Sequence, residues 1–273
     1  MSAASPAATT YAFDNDNPHA ADQHTYLPAI LDMGSIARIS GIADLDLAGA
    51  RCWEIGAGAG TIAGWLGSRV GPGGHVLATD VNPRHIQPRP NVSIQQHDIA
   101  TDPLPEGPFD LVFSRLCFTH VPTRHELLPR VAATLAPGGA LLIDEWETGY
   151  RRGVLSAADP RIAALYERYQ DVLIGTILAG KGHDPNWASE VHGVMVAAGL
   201  VDVDTVVTAR SWAGGTPGAL LVVSNLQHLK VHFLANGFTE ADITVLSEGL
   251  MDPATHLRGN LTVSTLGRRP AAA

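Results

Sequence analysis

The amino-acid sequence predicts a doubly wound α/β fold with a mostly parallel sheet, an antiparallel final strand and helical cap segments. Two observations lead to this prediction. From Arg51 onward, short apolar runs alternate with helical segments, which is typical of βαβ units. A glycine-rich stretch, residues 56–60, joins the first apolar run to the first helix of this pattern. Because sheets of this kind bind ligands beyond the carboxyl ends of their strands, we expect the functional site there.

The predicted strands are five short apolar runs followed by a final pair. They are residues 51–55, 75–79, 92–96, 110–114 and 140–144, and then 201–209 and 261–266. Five strand–helix units followed by a strand pair fit an open doubly wound sheet.

Capping residues and prolines predict several helix boundaries. Thr123 and Glu126 have the spacing of a capping box after the fourth strand, and residues 137–139 (Pro-Gly-Gly) are expected to end that helix. The pairs at 159–160 and 184–185, both Asp-Pro, predict two further helix starts, because the first turn of a helix tolerates proline.

Helical segments are also predicted on both sides of the main sheet pattern. Apolar residues between 19 and 39 recur at roughly helical spacing, with Pro28 and Gly34 as interruptions, and predict short helices before the sheet. Residues 218–236 and 240–250 predict a helical insertion before the last strand.

The chain of 273 residues, 45% of them hydrophobic, is long and apolar enough to bury the core of one large domain. We expect a single domain whose core comprises residues 45–148, 185–213 and 259–269. The expected cap segments are 11–44, 149–184 and 214–258, and the expected mobile tails are 1–10 and 268–273.

Composition excludes several classes of partner. A formal net charge of -9 argues against nucleic acid, because binding a phosphate backbone requires concentrated Lys and Arg. Cys52 and Cys117 form neither a disulfide framework nor a CxxC pair, which favours a reducing, cytoplasmic setting. No secretory signal and no apolar stretch of about 18 residues is present, so no membrane association is expected.

The glycine-rich stretch has the spacing of a cofactor-binding loop. Gly56, Gly58 and Gly60 form GxGxG, whereas the dinucleotide fingerprint GxGxxG would need glycine at Thr61. The second strand ends at Asp80, 24 residues beyond Gly56, where a carboxylate can accept hydrogen bonds from ribose hydroxyls. The GxGxG spacing argues against a nicotinamide cofactor without excluding it. A carboxylate at Asp80 would suit either cofactor.

The end of the third strand adds a further element. Asp98 follows this strand, and its carboxylate is suited to accept a hydrogen bond from the exocyclic amine of an adenine ring. Such a ring would lie between Val81 and Ile99.

In order along the chain, these motifs resemble those of the class I, Rossmann-like S-adenosylmethionine-dependent methyltransferases. The resemblance covers Arg51 to Trp146, and its style is similar to the ubiquinone-biosynthesis-like small-molecule methyltransferases of actinobacterial secondary metabolism. The motifs are EIGAGAG (54–60), ATDVNP (78–83), HD (97–98), FDLVFSRLCFTHVP (109–122) and APGGALLIDEWE (136–147).

The resemblance implies S-adenosyl-L-methionine as cofactor, with S-adenosyl-L-homocysteine as product. It implies that the glycine loop borders the methionine and ribose portions, that Asp80 binds the ribose and that Asp98 binds the adenine amine. For Arg115 a place beside the cofactor competes with a surface ion pair. The implied cofactor-binding residues are Gly56, Ala57, Gly58, Gly60, Asp80, Val81, Asp98, Ile99 and Arg115.

Methyl transfer is an in-line displacement, so a general base is needed only when the acceptor keeps a proton. His120 follows the fourth strand and is one catalytic candidate, although a histidine there also suits packing. Glu145 follows the fifth strand at the expected pocket mouth and is the second, with a solvated loop carboxylate as the alternative. Asp144 and Glu147 are weaker candidates of the same kind.

The cap segments contain the aromatic residues that would cover the site. Aromatic walls suit a flat or apolar acceptor. Tyr166 and Tyr169 also fit a buried helix stripe, which is the alternative for both. The candidate substrate-binding residues are Tyr26, Trp146, Tyr166, Tyr169, Trp187 and His228.

The resulting hypothesis is an enzyme that methylates a carbon or heteroatom of a small aromatic natural-product intermediate, as in antibiotic biosynthesis. No metal is expected, since Ser114 and Arg115 stand where metal-dependent catechol methyltransferases place an acidic ligand, and His183 and Asp184 form no ligand set. The alternatives are a non-catalytic binding or regulatory protein with this fold, and a nicotinamide-dependent oxidoreductase.

Overall fold

The computed structural model describes residues 20–272, so the predicted tail 1–10 and the start of the first cap segment lie outside the described residues. The described helices are α1 Ala20–Ser40, α2 Thr61–Val70, α3 Arg124–Ala132, α4 Arg161–Val172, α5 Trp187–Ala197, α6 Pro217–His228, α7 Lys230–Ala235 and α8 Glu240–Met251. The described strands are β1 Arg51–Ile55, β2 His75–Asp80, β3 Val92–Gln96, β4 Phe109–Arg115, β5 Leu135–Glu147, β6 Val154–Ser156, β7 Val201–Thr208, β8 Ser211–Ala213, β9 His256–Arg258 and β10 Leu261–Arg268.

The main sheet has seven strands in the order β3-β2-β1-β4-β5-β10-β7. Strands β1 to β5 are parallel, and β10 runs antiparallel to both β5 and β7. The central strands are apolar nearly throughout because helices cover both faces of the sheet, as the fully buried run Cys52–Ile55 shows. This confirms the predicted fold class. The glycine loop leaves the carboxyl end of β1, at the centre of the sheet.

A second, antiparallel sheet in the order β6-β9-β8 was not predicted. Each of its strands has only three residues, which is too short for an alternation of polar and apolar residues to be recognised. Leu257 of β9 packs into an apolar cluster with residues of α4, α6 and α8. The cap therefore has a core of its own, separate from the clusters that flank the main sheet.

The predicted short helices before the sheet are wrong. A single helix, α1, runs through Pro28 and Gly34 over 21 residues. Tertiary contacts hold it at both ends, because Gln23 donates to Asn225 of α6 and Ser35 donates to Asp144 of β5. Such contacts offset the low helix propensity of proline and glycine.

Three of the predicted helix signals are also wrong. Thr123 makes no side-chain cap, and α3 ends at Ala132, so that residues 137–139 lie within the 13-residue strand β5. Pro185 precedes the N-cap residue of α5 and does not lie in its first turn. The capping box that does form lies at the start of α8, between Thr239 and Asp242. The Pro-Gly-Gly sequence lies at an irregularity of β5, where the register with β4 shifts between Leu135 and Ala140 and the backbone of Gly138 and Gly139 bonds to Arg269.

The prediction of five strand–helix units was wrong for two of them. A single 3-10 turn, Pro83–His85, and an extended segment join β2 to β3, and residues 97–108 join β3 to β4 without an α-helix. At the other end of the chain, Arg268 ends β10 and the backbone of Arg269 bonds to Gly139, so the predicted tail includes two residues that are held at the end of this strand. Among the described helices, none combines the length and apolar character needed to cross a membrane.

Candidate active site

Packing in the loop between β1 and α2 is tight at two of its glycines and looser at the third. Gly56, Gly58 and Gly60 all have positive φ angles, of 68°, 55° and 70°. A Cβ on Gly56 would lie 2.9 Å from Cys117, and one on Gly60 would lie 2.5 Å from Ile86. A Cβ on Gly58 would be in ordinary van der Waals contact with the His24 ring of α1, 3.8 Å away. Gly58 is therefore the least crowded of the three glycines, and a side chain of α1 lies over it.

Asp80 lies beside Gly58. Its Oδ2 accepts a hydrogen bond from the backbone N–H of Gly58 at 2.9 Å, and its Oδ1 accepts one from that of Asn82 at 2.9 Å. Burial raises the pKa of Asp80, while these two N–H groups and the nearby His85 oppose the rise. These two hydrogen bonds fix Asp80 in place. Each carboxylate oxygen can accept a second hydrogen bond, so Asp80 is still able to bind ligand hydroxyls.

Glu54, within β1 just before the loop, is a buried acid that the sequence reasoning did not select. Burial raises its pKa to about 8, and the positive charge of Arg115 opposes this rise. Its Oε2 is buried without a hydrogen-bond partner. Such a group is costly unless a ligand or a water molecule satisfies it. The signal available in the sequence was an acidic residue inside the apolar first strand, two residues before Gly56.

The residues predicted to flank an adenine ring lie at the ends of β2 and β3. Val81 is 37% exposed although apolar, and Ile99 is buried. Asp98 is half-buried, and its Oδ1 accepts a hydrogen bond from the N–H of Ala100 at 2.9 Å. An apolar surface next to a fixed carboxylate is present at this edge.

Helix α1 covers the glycine loop through a polar network. Arg115 pairs with Asp32 at 2.9 Å and donates to Ser35 at 3.2 Å. Thr61, the first residue of α2, donates to the same Asp32 carboxylate at 3.1 Å. Ser35 in turn donates to the buried Asp144 at 2.7 Å. Through these contacts Arg115 holds α1 over the site.

A cavity of about 130 Å³ lies between the carboxyl end of the main sheet and the cap. This volume is on the order of ten times what one water molecule needs, so the cavity has room for a small organic molecule. Its walls are mainly apolar and aromatic, and they include Leu116, Trp146, Tyr166, Tyr169, Trp212 and Leu257.

The aromatic walls are held rigidly by hydrogen bonds. Tyr169 accepts from Asn225 at 2.9 Å, and Asn225 accepts from Gln23 of α1 at 2.8 Å. Trp146 donates to Thr262 at 3.1 Å. Leu116 joins the wall with a φ of 51°, an uncommon conformation for a bulky residue. Helix α1 therefore closes the glycine loop and also forms part of the cavity wall.

His120 lines the cavity in its neutral form. Burial, with smaller contributions from His183 and Arg124, lowers the pKa of His120 to about 3. The ring centroids of His120 and His183 are 5.2 Å apart. His183 bonds to the hydroxyls of Thr119 and Thr148, and burial lowers its pKa to about 4.

Glu145 lies under the 118–120 turn and does not line the cavity. It is fully buried and accepts a hydrogen bond from the N–H of Thr119 at 3.2 Å, and burial raises its pKa to about 8. Arg124 holds the same turn through the carbonyls of Phe118 and Thr119, and also bonds to Asp184. The prediction that Glu145 lies at the pocket mouth is therefore wrong. Its carboxylate binds the backbone of the 118–120 turn and does not face the cavity.

A family model described as a methyltransferase domain matches residues 28–194, more than half of the chain. The chain belongs to this methyltransferase domain family. The predicted family is thus confirmed at this level.

Curated relatives match this chain over a limited stretch. It is 39% identical over 94 residues to methyltransferase str3 of Strobilurus tenacellus, which is 34% of either chain. It is 35% identical over 98 residues to trans-aconitate 2-methyltransferase of Methylobacterium nodulans, which is 34% of this chain and 37% of the relative. The match spans about a third of the length of these relatives.

Solved structures share the fold at low sequence identity. Phosphoethanolamine N-methyltransferase 2 of Haemonchus contortus, in complex with S-adenosyl-L-methionine, superposes with a TM-score of 0.58 at 19% identity, covering 97% of this chain and 61% of that one. A putative methyltransferase from Bacillus halodurans gives a TM-score of 0.54 at 14% identity, covering 87% of this chain and 100% of that one. Both show the same fold.

Four of the predicted catalytic and substrate residues line the cavity: His120, Trp146, Tyr166 and Tyr169. Tyr166 and Tyr169 also pack in the apolar cluster of the cap, so the buried-stripe alternative describes them as well. The cavity residues that the sequence reasoning missed include Trp212, Asn225 and Arg258. No local pattern marks these, because they reach the cavity only through the packing of α6 and the second sheet.

Trp187, Tyr26 and His228 do not line the cavity, which corrects their predicted place. Trp187 is fully buried in the core beside the main sheet, where it stacks on Phe118 with ring centroids 6.3 Å apart. His228 is buried at the end of α6, and Tyr26 is half-buried on α1. Successive side chains of a helix point in different directions, so Leu27 lines the cavity whereas its neighbour Tyr26 does not.

One group of side chains has the spacing of metal ligands. His125, Asp184 and Glu190 have ligand atoms within 4.8 Å of one another at the surface near α5. Asp184 is paired with Arg124 at 3.0 Å, and His125 with Glu190 at 3.2 Å. These ion pairs already satisfy the carboxylates.

Proposed function

We propose that this chain is an S-adenosylmethionine-dependent methyltransferase of the ubiquinone-biosynthesis-like type, acting on a small aromatic or apolar acceptor of secondary metabolism. One observation carries the proposal. The glycine loop, with Asp80 bonded to Gly58, lies next to the wall of an aromatic cavity, because Cys117 packs on Gly56 and the preceding Leu116 lines that cavity. A cofactor site and an acceptor site are thus adjacent.

The residues present fit the cofactor. The unpartnered Oε2 of Glu54 is an acceptor suited to the α-amino group of the methionine portion, and Gly58 is the least crowded glycine of the loop. Asp80 is suited to bind the ribose hydroxyls, and Asp98 the adenine amine between Val81 and Ile99. When bound, S-adenosylmethionine supplies an electrophilic methyl group on a sulfonium.

The chain contributes alignment and exclusion of water. Helix α1 covers the loop through the pair of Arg115 with Asp32, and the cap encloses the cavity. In a pocket of this kind, correct orientation of the acceptor accounts for much of the acceleration of a displacement reaction. Glu145 and Arg124 act as positioning residues, since they hold the turn that presents His120.

Two further observations support a small-molecule acceptor. The cavity is lined by aromatic rings and apolar side chains, which suits a flat or apolar molecule. The relative from Methylobacterium nodulans is named for a small-molecule acceptor, trans-aconitate. Carbon or nitrogen is favoured over oxygen as the methylated atom, because none of the cavity-lining residues within 20–272 is a strong base.

The proposal is tested with labelled cofactor and an extract of the source organism. The purified chain is incubated with methyl-labelled S-adenosylmethionine and the extract, and labelled products are identified by mass spectrometry. We expect a labelled small molecule that is absent without the chain. Calorimetry with S-adenosylhomocysteine and with NAD separates the alternatives. Binding of NAD alone would indicate an oxidoreductase, and cofactor binding without any labelled product would indicate a binding protein.

Substitution of His120 tests whether catalysis depends on a base. Because the pKa of His120 is lowered to about 3, the side chain is neutral and weakly basic at pH 7. We expect His120→Gln to lower kcat by less than about 100-fold, the lower end of the contribution of a general base, with unchanged cofactor affinity. The kcat of the wild type should not change between pH 6 and 8 through this group. A loss of more than about 1,000-fold would assign His120 a base role.

A further inference from the structure

We propose that the methyl acceptor carries a carboxylate and that Arg258 binds this group. The inference rests on the proposed function and adds the chemical class of the acceptor. Arg258 is the last residue of β9 and lines the cavity. It was not among the predicted site residues.

The guanidinium of Arg258 has unused hydrogen-bond donors. Its Nε and Nη1 are buried and have no hydrogen-bond partner. Among the residues that the structure describes, the ion pairs do not include Arg258. A guanidinium stays charged in a protein, so its buried donors need an acceptor. Because Nε and Nη1 have almost no solvent-accessible surface, the Arg258 side chain must turn toward the cavity for an anionic ligand there to provide this acceptor.

A comparison with Arg124 shows how this chain satisfies a structural guanidinium. Arg124 is buried and donates to the carbonyls of Phe118, Thr119 and Gly182 and to the carboxylate of Asp184. Arg258 instead lies over the ring of Tyr150, with its central carbon 4.5 Å from the ring centroid. This contact uses the face of the guanidinium and leaves the N–H groups, which lie in its plane, for another partner.

A carboxylate is the ligand group that matches these donors. The planar fork of arginine forms two parallel hydrogen bonds with a carboxylate, and charge makes both bonds stronger than neutral ones. The positive charge of Arg258 also reaches Tyr166 in the cavity wall, where it opposes the rise in pKa that burial causes. The charge of Arg258 therefore lies near this residue of the cavity wall.

The position of Arg258 orients the acceptor. Arg258 belongs to the second sheet, where it pairs with Ser211, whereas Leu116 and His120 follow β4 beside the glycine loop. The carboxylate would point toward the second sheet and the methylated atom toward the β4 side. Between these ends the body of the molecule contacts Trp146 and Trp212. The acceptor class is therefore an aromatic or otherwise apolar carboxylic acid.

The test compares acids with their neutral amides. The full chain is saturated with S-adenosylhomocysteine and titrated with benzoate, phenylacetate, cinnamate and hexanoate, and with the primary amide of each, by calorimetry. We expect at least one acid to bind about tenfold or more tightly than its amide, because the amide loses the charge-assisted bonds. Arg258→Gln should abolish this preference, and Arg258→Lys should retain part of it.

Arg210→Gln is the matched control. Arg210 precedes β8, is exposed, lies over the Trp212 ring at 4.4 Å and does not line the cavity, so its loss should leave the preference unchanged. The proposal is overturned if no acid of the panel binds more tightly than its amide, or if Arg258→Gln keeps the preference. Absence of S-adenosylhomocysteine binding to the wild type would instead contradict the proposed function. Circular dichroism checks that the variants are folded.

Discussion

Asp80→Asn is expected to weaken binding of S-adenosylmethionine about 100-fold or more while leaving the chain folded. Each hydrogen bond from a ribose hydroxyl to a charged carboxylate contributes about 1.5–3 kcal/mol, and two such bonds together correspond to a factor of at least about 100. The asparagine oxygen still accepts one of the backbone N–H groups that Asp80 now binds, from Gly58 and Asn82, so the loop keeps part of its support. Calorimetry with S-adenosylhomocysteine measures the change.

Asp110→Asn is the control for this substitution. Asp110 also accepts a backbone hydrogen bond, from Arg51 at 2.8 Å, but it lies near the start of β4, at the opposite end of the sheet from the glycine loop. We expect its replacement to change cofactor affinity less than about twofold, since surface substitutions away from a site have small effects. Equal affinities for wild type and Asp80→Asn would contradict the assignment of Asp80 to the ribose.

Gly60→Ala is expected to reduce the free energy of unfolding by about 2–5 kcal/mol. The φ of 70° at Gly60 is costly for a residue with a side chain, by about 1–2 kcal/mol. The added Cβ would also lie 2.5 Å from Cγ2 of the buried Ile86, and overpacking of this kind costs about 1–3 kcal/mol. Urea unfolding followed by circular dichroism measures the loss.

Gly64→Ala, four residues further along, separates this effect from glycine replacement in general. Gly64 is inside α2, its φ is not positive, and the nearest atom to its Cβ would be in the flexible Arg89 side chain at 3.5 Å. We expect unchanged stability or a gain of up to about 1 kcal/mol from helix propensity. If both variants were equally stable, the packed conformation of the glycine loop at Gly60 would be wrong.

Local sequence patterns predicted the parts of the site that follow directly from single strands. Asp80 and the glycine loop come from chain segments whose conformation is fixed within a few residues, by positive φ angles and by the end of a buried strand. The motif also predicted the family, which the match over residues 28–194 confirms. Glu54 lay within the same motif and was overlooked, although its place before the loop was visible.

Residues of the cavity wall were harder to predict. Aromatic content alone selected Trp187, which packs in the main core, and omitted Trp212, which lines the cavity. Both are buried tryptophans in short or amphipathic elements, and the sequence around them does not differ in a useful way. Which wall a side chain faces depends on how the cap packs on the sheet.

The sequence by itself determined the strands of the main sheet, the place of the glycine loop and the position of Asp80 beside it. These features depend on neighbouring residues and on strand ends. Only the tertiary structure decided that α1 is continuous, that Glu145 lies behind the 118–120 turn, and that Arg258 reaches the cavity. These three outcomes depend on contacts between segments far apart in the chain, such as Gln23 with Asn225. Packing over such distances overrides local propensity and leaves no periodic signal in the sequence.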